Sequence, residues 1–166
     1  MAFSDALLPE FDHEMASTRK VLERLPDDKL DWRSHPKSNT IGWNANHIAD
    51  IPRWAALVLT TPSLDIAPVG GEPYRSPKLA SAREIVELFD RNVADARKAI
   101  AEADDALVGS PWTLAQGGQP VLVMPRAAML RTYVMNHLIH HRAHLCSYLR
   151  LIDVPVPGMY GPSADE

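Results

Sequence analysis

Residues 125–152 read PRAAMLRTYVMNHLIHHRAHLCSYLRLI. Leu130, Val134, Leu138, Leu145, Leu149 and Ile152 recur there at three- and four-residue steps. That is the stripe of an amphipathic helix. Pro125 stands in its first turn, where a missing N–H costs little. His137 and His141 fall within the stripe, four residues apart, so their Cβ atoms lie about 5–6 Å apart on one face. His140 and His144 form a second such pair. It is rotated towards Asn136 and Arg142, on the less apolar side, and belongs at a pocket edge or the surface.

Three other segments carry the same period. The first runs from about residue 6 to 25, with Leu7, Leu8, Phe11, Met15, Thr18, Leu22 and Leu25 on one stripe. Its acids come early and Arg19, Lys20 and Arg24 late, as the helix dipole favours. The second spans about 41–59 behind Thr40, a natural N-cap. Trp43, His47, Asp50, Ile51, Trp54 and Val58 share its face, and Pro52 inside it predicts a kink or a split. The third spans about 81–102 and opens with Ser81-Ala-Arg-Glu84, a capping box. Ile85, Leu88, Phe89, Val93, Ala96 and Ile100 make its buried stripe. Four such helices predict an all-α four-helix bundle, one domain over 1–166, with the last helix at about 125–152. Connections of about 15–20 residues exceed those of a simple up-and-down bundle. They can cross the bundle or fold over one end. Only short β-like pieces are expected, near 120–124 and within 61–80.

Composition narrows the function classes. The chain has 166 residues, 46% of them apolar and 23% charged, enough for one core without staples. A net charge of −4 with no basic run argues against nucleic acid. No apolar run approaches a bilayer span, the start lacks a basic leader, and the single Cys146 excludes a disulfide framework. A cytoplasmic protein is expected. No phosphate-binding glycine loop, dinucleotide fingerprint or nucleophile elbow occurs.

The histidines carry the chemistry. Two imidazoles at i and i+4 can chelate one metal ion, and a third donor is needed for a firm site. His47 is the best candidate, being the histidine in the apolar stripe of another long helix. Three imidazoles on zinc or nickel leave a coordination position open, the arrangement of catalytic sites. The plain alternative is a bundle whose histidines are incidental, since an HxxxH pair also arises by chance.

The block Asn136-His137-Leu-Ile-His140-His141-Arg142-Ala-His144-Leu145, followed by Tyr148-Leu149-Arg150, resembles the NHxxHHRxQLxxYLR signature of the DinB family. The segment Ser38-Asn-Thr-Ile-Gly-Trp-Asn-Ala-Asn-His47-Ile resembles that family's second-helix motif. The resemblance implies an up-down-down-up four-helix bundle, frequently homodimeric. It also implies a zinc or nickel ion on His47, His137 and His141. By the same resemblance the protein is a divalent-metal-dependent enzyme acting on a small molecule. The reaction is either transfer of a low-molecular-weight thiol or hydrolysis; the alternative is a non-catalytic metal-binding or stress-response bundle. His144 stands where the family often has glutamine.

Further residues are candidates for the pocket. Asp50 and Asn136 could orient an imidazole. Arg142 could hold an anionic substrate, or pair with an acid on a neighbouring helix. His140 and His144 would edge the pocket, and Trp43 and Tyr133 could line it. The loop holding Trp112, Gly117 and Gly118 could cover it. The general base is not identifiable from sequence; His140, His144 and Asp50 are the candidates.

Overall fold

The computed structural model describes residues 2–166. Four long helices form where the apolar period is strongest: α1 (Phe3–Leu22), α2 (Ile41–Thr60), α3 (Ala82–Glu102) and, at the end, α6 (His137–Leu151). Their ends are chemically closed. The Asp5 carboxylate accepts from Ala2 N–H and that of Asp105 from Phe3 N–H, at 3.1 and 2.8 Å. Thr40 Oγ1 accepts from Trp43 N–H, and Ser81 Oγ from Glu84 N–H. At the far end of α2, the Arg126 guanidinium donates to the Val58 and Thr61 carbonyls, which the helix itself leaves open.

The long helices pack as a ring. α1 lies against α3, α3 against α2, α2 against α6, and α6 against α1. Consecutive α1 and α2 therefore sit across a diagonal, which is why the connection between them must be long. Phe11, Leu22, Ile48, Ile51, Ile85, Phe89, Ile100, Leu138, Leu145 and Leu149 fill the centre, all 2% exposed or less.

The chain is not purely helical. α4 (Asp105–Gly109) and α5 (Arg126–Met129) are short, and β1 (Ser63–Asp65), β2 (Pro111–Gln116) and β3 (Gln119–Pro125) form a small sheet. The order is β1-β2-β3; β1 pairs with β2 in parallel, and β2 with β3 antiparallel. Gly117 and Gly118 are the two turn residues between β2 and β3, both with positive φ (61° and 78°). That is the conformation a two-residue hairpin requires. The Asp65 carboxylate receives both their N–H groups, tying the turn to β1. Trp112 is fully buried beneath the sheet, so this hairpin extends the core and is not a flap over a pocket.

Two further expectations need correcting. Pro52 does not split its helix, which runs unbroken from Ile41 to Thr60. The turn weakened by its missing N–H is braced from α3, where Asn92 Nδ2 donates to the Ala49 carbonyl at 2.8 Å. The predicted final helix is continuous but not uniform. Leu130–Asn136 is a π-helical segment between α5 and α6, ending directly before His137. Such wider turns recur at functional sites.

Candidate metal centre

The second turn of α2 and the first two turns of α6 face each other, and three imidazoles meet between them. His47 Nε2 lies 3.2 Å from His137 Nε2, which lies 3.0 Å from His141 Nε2. All three rings are half-buried. No other group of three metal-ligating side chains converges in this way among the described residues.

The outer ring nitrogens decide what the inner ones present. Asn44 Nδ2 donates to the Thr40 carbonyl, which leaves Asn44 Oδ1 facing His141 Nδ1 at 3.2 Å. An amide oxygen only accepts, so His141 carries its proton on Nδ1 and a lone pair on Nε2. The Tyr133 carbonyl, one turn back, accepts from His137. With His137 Nε2 turned to the cluster, that proton also sits on Nδ1. His47 Nδ1 lies 3.3 Å from Ser76 Oγ. His137 Nε2 and His141 Nε2 thus face each other as lone pairs at 3.0 Å, with His47 Nε2 beside them at 3.2 Å. A cation relieves that repulsion, and nitrogens 3.0–3.2 Å apart suit neighbouring bonds of about 2.0–2.1 Å to one ion.

Electrostatics points the same way. Burial, reinforced by His137, pushes His47 down to about 4. Burial pushes His141 down to about 3, with His47, His137, His140 and His144 adding to it. Burial also lowers His137. The imidazoles are neutral at pH 7, the form that binds metal.

The chain as a whole is similar to known proteins. The sequence model of the DinB superfamily matches residues 10–145, which include all three histidines. The chain belongs to the DinB superfamily. It is 26% identical over 170 residues to the uncharacterized protein YrdA of Bacillus subtilis (strain 168), covering 98% of this chain and 90% of that one. A DinB-like protein from Bacillus cereus ATCC 10987 has the same fold, with a TM-score of 0.73 and 24% identity over 96% of this chain and 98% of that one. So does the DinB-like protein YjoA of Bacillus subtilis, with a TM-score of 0.67 and 14% identity over 90% and 95% of the two chains.

Around this DinB cluster, Trp43 stacks on His47 with ring centroids 4.8 Å apart and leans towards His141 at 5.7 Å. Tyr133, Asn136, His137 and His140, with Thr132, line a shallow depression of about 290 Å³ on the α6 side. His140 and His144 are exposed and meet edge to face with ring centroids 4.3 Å apart, with His140 5.1 Å from the His141 ring.

Two expected pocket residues lie elsewhere. Arg142 is turned from the histidines into the bundle, where it binds the Glu14 carboxylate at 2.6 Å; it pairs with a neighbouring helix instead of meeting a substrate. Asp50 orients none of the three imidazoles. It is buried, with only Arg53 near it at 3.9 Å, and its Oδ2 has no hydrogen-bond partner. The orienting groups are Asn44 and Ser76, neither singled out by sequence reasoning. Asn44 left one signal, a polar residue in the apolar face one turn before His47. Ser76, on a loop 29 residues away, left none. Cys146 is half-buried, and burial pushes its thiol up; it lies outside the cluster.

Proposed function

We propose that His47, His137 and His141 hold one divalent transition metal, zinc or nickel, and that the protein is a metal-dependent enzyme acting on a small molecule. The observation that carries this reading is the meeting of three neutral imidazoles whose outer nitrogens are engaged by the protein. Imidazole donors suit both metals. When bound, such an ion lowers the pKa of water for hydrolysis or holds a low-molecular-weight thiol as thiolate for transfer to an electrophile.

The chain's own groups prepare that chemistry. Asn44 and the Tyr133 carbonyl fix two tautomers, and Ser76 steadies the third ring. Trp43 covers one side of the cluster and keeps water from His47. Tyr133 and Asn136 shape the shallow depression beside His137, wide enough for a small substituent. An up-down-down-up bundle that pairs as a homodimer is part of the same proposal.

The test is turnover by zinc- and nickel-loaded protein beside His141→Ala. Ester and amide substrates are offered alone, and electrophiles with cysteine or glutathione. Metal-dependent cleavage without thiol assigns a hydrolase; metal-dependent thiol consumption assigns a transferase. Absence of both contradicts the enzymatic reading and leaves a non-catalytic metal-binding bundle.

A further inference from the structure

Behind Trp43 and Ser76, on the side of His47 away from the cluster, lies a groove of about 630 Å³, a size that suits a small ligand. One wall is the loop before α2, carrying Asp27, Leu30 and Asp31; the other is the extended segment carrying Arg75, Lys78 and Leu79. Both walls are built firmly. Gly42 N–H donates to the Leu30 carbonyl at 2.7 Å, and a Cβ on Gly42 would meet that oxygen at 3.0 Å, so glycine lets the first wall close on α2. The second wall is clamped by Asn46, only 4% exposed, which gives Nδ2 to the Leu79 carbonyl at 3.1 Å and takes the Leu79 N–H on Oδ1 at 2.8 Å.

The charges on these walls are opposite. Asp27 is engaged with Ala82 N–H at the start of α3. Asp31, Arg75 and Lys78 make no ion pair among the described residues, although all three border one cavity. A ligand of a single sign leaves one wall facing like charge. A ligand bearing both signs answers both, with Leu30, Pro77 and Leu79 beneath its apolar part. We propose that this groove binds a small zwitterionic molecule of about dipeptide size, its carboxylate on Arg75 and Lys78 and its amine on Asp31. The groove touches the histidine cluster only through Ser76 and Trp43, so its ligand can bias the orientation of His47. The inference stands whether or not the cluster holds metal.

The experiment is titration calorimetry of the full chain with L-alanyl-L-phenylalanine, its N-acetyl form and its C-terminal amide. The free dipeptide is expected to bind about fivefold more tightly than either capped form, the scale of exposed charge pairs. Asp31→Asn erases the preference over the N-acetyl form, and Arg75→Gln with Lys78→Gln erases the preference over the amide. Metal content of the same samples stays at the wild-type value. Equal binding of all three forms, no binding of any, or preferences that survive in both variants overturn the proposal.

Discussion

His141 and Arg142 are neighbours in sequence and turn to different helices, His141 to α2 and Arg142 to α1, into two polar clusters of different character. On Arg142's side the accounting closes. Its guanidinium reaches Glu14, the Glu14 carbonyl, Thr18 Oγ1 and Tyr160 Oη, while Tyr160 Oη also donates to Glu14. Arg142 is 2% exposed and Glu14 5%, yet each charge is answered. On His141's side the outer nitrogens are answered and the inner ones face only each other. A buried polar cluster built for the fold has its partners within the chain. One that lacks them at a single converging point is arranged for something the chain does not itself supply.

The largest expected effect lies on the closed side. Arg142→Ala leaves Glu14 buried without its partner and should destabilise the fold by about 3–5 kcal/mol in urea unfolding. Arg142→Met with Glu14→Gln should cost clearly less than the two single changes summed. A loss below 1 kcal/mol for Arg142→Ala would erase the contrast. On the open side the effect belongs to binding. Asn44→Ala frees the His141 tautomer and should weaken metal affinity by about 10–100-fold in competition with a chromogenic chelator. Its far-ultraviolet circular dichroism should remain that of the wild type.

A smaller effect separates the clusters by pH. The folded imidazoles stay neutral down to about 4 at His47 and about 3 at His141, whereas an unfolded histidine takes its proton near 6.5. Below that value the unfolded chain binds more protons than the folded one. Metal-free protein should therefore lose stability as pH falls from about 7 towards 4 and regain it on return. His141→Ala should flatten that slope, visible in urea midpoints taken across the range. An unchanged slope in the variant would place the titration elsewhere.

Much of the frame was legible in the sequence because its causes are local. Ser81 and Glu84 announce α3, and Thr40 announces α2; the apolar period locates α1, α2 and α3 within a few residues, while the helix expected over 125–152 divides into α5, the π-helical turns and α6. The three histidines were legible for the same reason, since each sits in such a stripe. The rest depends on contacts between distant segments. β1 falls within the 61–80 stretch where a short β-like piece is expected, but its parallel pairing with β2, some 50 residues later, is not written in three residues. The π-helical turns of 130–136 change which carbonyl meets which N–H, and that leaves no mark on a 3.6-residue apolar pattern. Asp50 shares a helical face with His47, but the partners of the imidazoles proved to be Asn44, Ser76 and the Tyr133 carbonyl.

The most direct test of the central claim is the metal content of untagged protein by plasma mass spectrometry, wild type beside His141→Ala, after exposure to zinc and nickel. The convergence of three imidazole nitrogens predicts about one equivalent of metal in the wild type and little in the variant, both with full helical content. A wild type that stays empty, or a variant that keeps its equivalent, would contradict it.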